Sequence, residues 1–466
     1  MKESMKKKET LRNIPSVDKI LKWPELQEGL KTLNNNYVTQ VVRDKIDDFR
    51  DRLLAGEKLA PDFLKQSILH ELTELISPYF CYAVNALGIV LHTGLGRAPF
   101  NKRIAKVVHD MATGYSRLQI DDEGKRADRY QKINRLLQIL TGAEAGVIVN
   151  NNAAATMLIL NAMAKGKEVI VSRGQLIEIG GAYRIPDIMA QSGAIMHEVG
   201  TTNRTHLKDY AAAINENTGA LLRVHQSNYR IIGFTKEVSL DEMVALGQKN
   251  NIPMIDDLGS GALIDFSAYG LPKEPMVQES IAAGADVVCF SGDKLIGGPQ
   301  CGIIVGKKQY IDKIKKNPLT RALRCDKMTN AVLEATLQTF LLKMEDLILN
   351  HGVLGILLKP LDEIKRHANN CARALRKTHS DRLDISVESA VSEIGGGSLS
   401  TEQLPTFVVV IRSKTIPIQN LARALRLYEK PVFGRVAENG LFLDFRTVLK
   451  GEEKIILEAF NAVLKA

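Results

Sequence analysis

Apolar positions along this chain keep more than one period. From Met1 to about Pro78 they recur three and four residues apart. On Tyr37–Ala55, Val38, Val41, Val42, Ile46, Phe49 and Leu53 share one helical face among lysines, arginines and aspartates. Pro61–Leu75 repeats the pattern, and Ser16 stands where it would cap a helix starting at Val17. This stretch reads as a small helical domain. From Gly142 to Lys308 the pattern changes to short apolar runs separated by helical segments. Seven runs read as strands: Gly146–Asn150, Glu168–Ser172, Ala194–Val199, Ala220–His225, Pro253–Asp257, Asp286–Phe290 and Gly302–Gly306. Strands alternating with helices form βαβ units and a mainly parallel sheet. The seventh run follows the sixth by a short turn, which allows it to pair antiparallel.

Beyond Asp326 the pattern mixes again. A helical stretch at Thr329–Leu347 leads to helices around Leu358–Arg376, a β-like Phe407–Ile411, a helix near Ile418–Leu427, a hairpin at Val432–Phe445 and a last helix at about Glu452–Lys465. The expected fold is α/β, with a mainly parallel seven-stranded sheet, an N-terminal helical domain and a C-terminal α+β domain. The expected boundaries are 1–78, 79–328 and 329–466.

Composition narrows the class. With 466 residues, 45% hydrophobic and 25% charged, the chain suits a globular protein of two or three domains. No apolar run approaches the roughly 20 residues that span a bilayer, so no membrane association is expected. The Lys-rich start, Met1–Thr10, has no apolar segment behind it and does not read as a secretory signal. Five cysteines without a C-x-x-C pair and nine histidines without ligand spacing argue against a disulfide framework or a zinc site. The expected location is the cytoplasm. A net charge of +9 suits a polyanionic partner, nucleic acid being the commonest, or simply a basic surface.

Candidate chemistry lies at the ends of the predicted strands. After Val84–Leu91 comes Gly94-Leu95-Gly96-Arg97-Ala98-Pro99, a glycine loop on which Arg97 is placed to meet an oxyanion. Asn150-Asn151-Asn152-Ala153-Ala154-Ala155-Thr156 ends a strand and starts a helix of small residues. Asn152, Ala153 and Ala154 there let a phosphate approach free first-turn N–H groups. An asparagine N-cap is the plainer account. Asp256 and Asp257 end the next candidate strand, at the edge where ligands of α/β sheets bind. Asp257 is the choice for the pyridine nitrogen of pyridoxal phosphate (PLP). A one-residue error of parity would substitute Asp256. Ser291-Gly292-Asp293-Lys294 follows a buried strand and precedes Gly297-Gly298-Pro299. A lysine there is a poor core residue and well placed for a Schiff base with PLP; an exposed loop lysine is the bland alternative. Phosphate loop, ring aspartate and lysine stand in the order of the aspartate-aminotransferase-like PLP enzymes, fold type I. No G-x-G-x-x-G or P-loop supports a nucleotide fold. Arg321 and Arg324, three apart on Leu319–Arg324, share a face if helical and suit an anionic substrate.

These residues fall in a wider pattern. Leu11-Arg12-x-Ile14-Pro15-Ser16-Val17-Asp18, Val90–Pro99, Thr141–Ala145, Asn150–Ala155, Ser172–Gly181, Ser227–Arg230, Asp257–Gly261, Ser291–Lys294 with Gly297–Gln300, Ile394–Ser398 and Gly434-Arg435 together resemble the bacterial selenocysteine synthases, over nearly the full length. The resemblance implies conversion of L-seryl-tRNA(Sec) to L-selenocysteinyl-tRNA(Sec) with selenophosphate, through a PLP-bound aminoacrylyl-tRNA. It implies PLP on Lys294, with Asn152, Ala153, Ala154, Asp257 and Ser291 holding the cofactor and Arg97, Arg321 and Arg324 holding the selenium donor. It also implies an N-terminal domain that docks the tRNA and a decamer, a pentamer of dimers with active sites at dimer interfaces. Leu87, Gly94, Lys132 and Gln226 depart from the family pattern. The alternatives are a PLP lyase or aldolase acting on a phosphorylated sugar acid, and a non-catalytic tRNA-binding homologue. The first class tends to lack the N-terminal domain, and Lys294 argues against the second.

Overall fold

The computed structural model describes residues 14–180, 183–397 and 403–465. Leu11, Arg12, Gly181 and Ser398 of the family pattern lie outside them. The chain forms two compact units, Met1–Tyr82 and Ala83–Ala466.

The first unit is helical: Val17–Ile20, Pro24–Leu30, Asn35–Leu54 and Phe63–Ile76. Val38, Val42 and Ile46 of the long helix close with Ile20, Leu26, Leu64 and Ile68 into one small core, as the three-and-four spacing requires. Ser16 takes the N-cap position without a side-chain bond; its carbonyl accepts from Lys19 and Ile20. Lys65–Glu25 at 2.6 Å joins the second and fourth helices on the surface.

The second unit starts with β1 (Val84–Ala86). Then come β2 (Ala145–Val149), β3 (Glu168–Ser172), a two-stranded hairpin of β4 (Glu178–Ile179) and β5 (Tyr183–Arg184), β6 (Ile195–Val199), β7 (Thr218–Val224), β8 (Met254–Gly259), β9 (Val287–Ser291) and β10 (Gly302–Gly306). The chain continues with β11 (Leu383–Glu393), β12 (Gln403–Ser413), β13 (Val432–Ala437) and β14 (Gly440–Asp444). The central sheet has seven strands in the order β2-β10-β9-β8-β7-β3-β6. Only β10 runs against its neighbours, antiparallel to both β9 and β2. Every residue of β2, β9 and β10 is buried, the mark of strands covered on both faces.

The second sheet has the order β1-β13-β14-β12-β11. β1 pairs parallel with β13, so Val84 and Ala86 join the core of the C-terminal sheet rather than that of the large one. The helical stretch expected at Thr329–Leu347 is two helices, Lys327–Thr339 and Met344–Asn350, and a third, Gly352–Leu357, follows them. Among the described residues no helix is long and apolar enough to cross a membrane.

One buried side chain ties the last of those helices to the turn that carries Lys294. His351 accepts from the Leu354 N–H on Nδ1 at 3.1 Å, capping Gly352–Leu357, and donates from Nε2 to the Ile296 carbonyl at 2.8 Å. Burial holds its pKa down from 6.5 to about 4. A proton has no room on the capping nitrogen. Between pH 6.5 and 4 the unfolded chain therefore binds a proton that the folded chain refuses. Stability is complete above 6.5 and falls as pH drops through that window, by at most roughly 3 kcal/mol. H351Q keeps a donor and an acceptor and does not titrate. Its urea midpoint is expected to fall less than the wild type's between pH 7 and pH 4.5; equal falls would refute this role.

Candidate active site

The C-terminal ends of β2, β7, β8 and β9 converge on a cleft of about 220 Å³, the place where ligands of such sheets bind. Its walls include Asn152, Ala153, Tyr183, His225, Asp257, Ser291, Lys294, Gln300 and Arg97. Lys294 is 5% exposed. Its turn is closed by Gly292 N–H to Cys301 O and Gly298 N–H to Gly292 O, both 2.8 Å. A Cβ on Gly292 would stand 2.4 Å from Cys301 Sγ, so the close approach requires glycine. Burial pushes the Lys294 amine below its usual range, and the Arg97 charge adds to that. Asp293, Asp257 and Glu274 pull the other way.

Asp257 and Asp256 face opposite sides of β8, as strand parity demands. Asp256 accepts from Ser280 at 2.7 Å and pairs with Arg223 at 3.2 Å, away from the cleft. Asp257 faces the cleft. Asn152 Nδ2 donates to its Oδ1 at 2.8 Å, Thr156 Oγ1 to its Oδ2 at 2.8 Å, and the Gly259 N–H to Oδ1 at 3.0 Å. The pairing of β8 with β9 slips between Asp257 and Gly259; such a bulge re-aims side chains. Burial still raises the carboxyl's affinity for a proton, against those three donors and Lys294.

The phosphate-loop residues divide. Asn151 caps the helix Asn152–Ala164, its side chain accepting the Ala154 N–H at 2.8 Å. Ala154 is buried off the cleft wall, and its N–H is spent on the cap. Asn152 and Ala153 line the cleft, although the Asn152 amide serves Asp257. Arg97 lines it too, in the left-handed region at φ 60°, with its guanidinium 2.6 Å from Asp293. Arg321 and Arg324 are exposed and do not line it. Their segment lies beside the loop, since Asn150 N–H donates to Leu323 O at 2.9 Å. Of the residues that depart from the family pattern, Leu87, Gly94, Lys132 and Gln226, none lines the cleft. Gln226 instead donates to Gly174 O at 2.6 Å.

Several wall residues were missed by sequence reasoning. Tyr183 comes from the β4–β5 hairpin, and His225 stands one residue past β7. Gly397, at φ 69°, brings the C-terminal region over the lysine; a Cβ there would stand 3.6 Å from Lys294 Nζ and 3.7 Å from Ser227 Oγ. The Gly395-Gly396-Gly397 run was the available signal. Buried polar atoms without a partner gather here: Asn152 Oδ1, Tyr183 OH, Ser227 Oγ and Asn228 Oδ1. Each would cost about 1–3 kcal/mol left unmet, so this cradle suits a polar occupant. A buried lysine, a buried carboxylate and a helix N-terminus on one cleft are groups that would suit PLP.

A lysine and a carboxylate buried together at this edge of a mainly parallel sheet define a PLP-dependent enzyme of fold type I. The family profile described as L-seryl-tRNA selenium transferase matches residues 83–449, and that described as selenocysteine synthase N terminal matches residues 11–50. The chain belongs to the L-seryl-tRNA selenium transferase family. It is 46% identical over 466 residues to the L-seryl-tRNA(Sec) selenium transferase of Clostridium botulinum (strain Loch Maree / Type A3), covering 99% of this chain and 100% of that one. It is 46% identical over 446 residues to that of Carboxydothermus hydrogenoformans, covering 95% of each. Among solved structures, D-glucosaminate-6-phosphate ammonia-lyase superposes with a TM-score of 0.55 at 19% identity, covering 83% of this chain and 96% of that one. That last likeness is one of fold.

The two aspartates are expected to separate experimentally. D257A should lose the visible absorbance of bound PLP and about 100-fold or more in turnover, with its unfolding midpoint little changed. D256A should keep the absorbance and lose roughly 3 kcal/mol of stability, because Arg223 is left unpaired against a buried site. The reverse pattern, read by spectrum and denaturation, would exchange the two assignments.

Proposed function

We propose that this protein converts L-seryl-tRNA(Sec) to L-selenocysteinyl-tRNA(Sec), with selenophosphate as the selenium donor. The observation that carries the reading is the Lys294 amine, 5% exposed and sharing one cleft with Asp257, in a chain of this family. When bound, PLP supplies the electron sink that makes the serine α-carbon acidic.

The protein's own groups account for the rest. Lys294, whose amine burial holds below the usual lysine range, takes the Cα proton at Nζ. Asp257 would be the carboxylate partner of the pyridine nitrogen and favour its protonated form. Asn152 and Thr156 fix its carboxylate in place. The first turn of Asn152–Ala164 would offer a positive helix end to the phosphate. Ser291 on the wall and Ala153 leave room beside it. Gly397 lies against Lys294 and helps to shield it from water.

Serine on tRNA is an ester and presents no carboxylate. Arginines near the cleft are therefore available to an anionic donor. Arg97 reaches the cleft wall within this chain. Arg321 and Arg324 are exposed outside it, which suits a donor site completed across a dimer interface, in a decamer of five dimers. The domain division 1–78, 79–328 and 329–466 assigns tRNA docking to the first part, where a small helical core carries exposed lysines and arginines. Five free cysteines suit the cytoplasm.

A turnover assay with seryl-tRNA(Sec) and selenophosphate tests the reaction. K294A is expected to show no turnover and no visible PLP absorbance; an unchanged spectrum would sink the lysine's role. Removal of residues 1–75 is expected to abolish seryl-tRNA(Sec) binding in a filter assay while PLP stays bound. Unaltered binding would favour the sugar-acid lyase.

A further inference from the structure

One buried carboxylate beside the cleft has no part in the steps above. Glu274 is 4% exposed. The Ala262–Met276 bridge pins its loop against the segment that follows β8. Ser260 Oγ donates to Glu274 Oε1, and His225 Nε2 stands 3.5 Å from the same oxygen. Among the described residues no other side chain lies within hydrogen-bond or ion-pair distance of it. A carboxylate buried against a single hydroxyl keeps most of its charge uncompensated, which is costly unless a cation is at hand. His225 Nε2 is the basic nitrogen that stands beside it. It lines the cleft, and its backbone is fixed there by its N–H donating to Asp257 O at 2.8 Å.

We propose that Glu274 is a positioning residue of the active site: held by Ser260, it orients the His225 imidazole on the cleft wall and sets the charge balance around the Lys294 amine. The charged groups around His225 are Glu274 and Asp257 on the negative side and Lys294 and Arg97 on the positive, with Asp293 paired to Arg97. Glu274 also acts on Lys294 directly, favouring its charged form. One carboxylate thereby tunes both nitrogen groups that face the occupant. This rests on the reading of Lys294 as the PLP lysine.

The test uses the holoenzyme and follows the visible absorbance of bound PLP against pH, with kcat and KM for seryl-tRNA(Sec). E274Q keeps the shape and removes the charge. Its absorbance midpoint is expected to move about one unit to lower pH, as loss of one nearby opposite charge should cause. Its kcat should fall about tenfold with KM within about twofold. E274D should recover most of the shift, and S260A should shift the midpoint the same way by less. Should E274Q fail to fold, those two variants carry the measurement. H225N is expected to reduce the effect of adding E274Q. An E274Q, E274D and S260A series with the wild-type midpoint overturns the proposal while leaving the Lys294 reading intact. Absence of any visible band in the wild-type holoenzyme overturns both.

Discussion

Burial of the Asp257 carboxylate is the constraint on which the site depends. A carboxylate 3% exposed survives in a protein only where donors or a cation replace water. Here the donors come from two directions. Asn152 and Thr156 belong to the helix that follows β2, and Gly259 to the turn that follows Asp257 itself. The carboxylate therefore joins the loop that follows β2 to the strand end on the cleft wall. Moving either element by a residue would break two hydrogen bonds at once.

The same logic governs Lys294 from the opposite side. An amine that deep is held by glycines that let backbone close around it, by His351 bracing the Ile296 carbonyl, and by a glycine run arriving from the C-terminal region. β10 runs antiparallel between β9 and β2. The Gly-Gly-Pro turn is short because the chain returns at once beside the strand it has left. That return places Lys294 at the edge shared by both halves of the sheet.

Much of this was legible because the signal was local. Seven apolar runs marked seven strands to within two residues at most of their ends, and the spacing of Val38, Val42 and Ile46 marked the helix that buries them. Strand parity offered Asp256 and Asp257 as rivals, and only tertiary partners separated them: Ser280 and Arg223 claim one, Asn152 and Thr156 the other. β11 was missed although Leu383, Ile385 and Val387 alternate with Asp384, Ser386 and Glu388; a half-exposed strand gives a fainter run than a buried one. Tyr183 and His225 carried no local mark. A two-residue hairpin strand and a residue past a strand end become wall residues only through the fold.

Arg321 and Arg324 show where local pattern stops. Their spacing foretold a shared face, and the helix Leu319–Ala322 begins to form one. Spacing says nothing about which way such a face turns. The segment is anchored by its backbone, Leu323 O to Asn150 N–H, so its position beside the phosphate loop is fixed while both guanidiniums stay exposed. Arg97, in contrast, reaches the cleft at the expense of a left-handed backbone and is neutralised there by Asp293. A site for a highly charged anion needs more than one guanidinium already committed to a carboxylate. Arg321 and Arg324 place two further positive charges on the exposed side of a segment whose backbone is bonded to that loop.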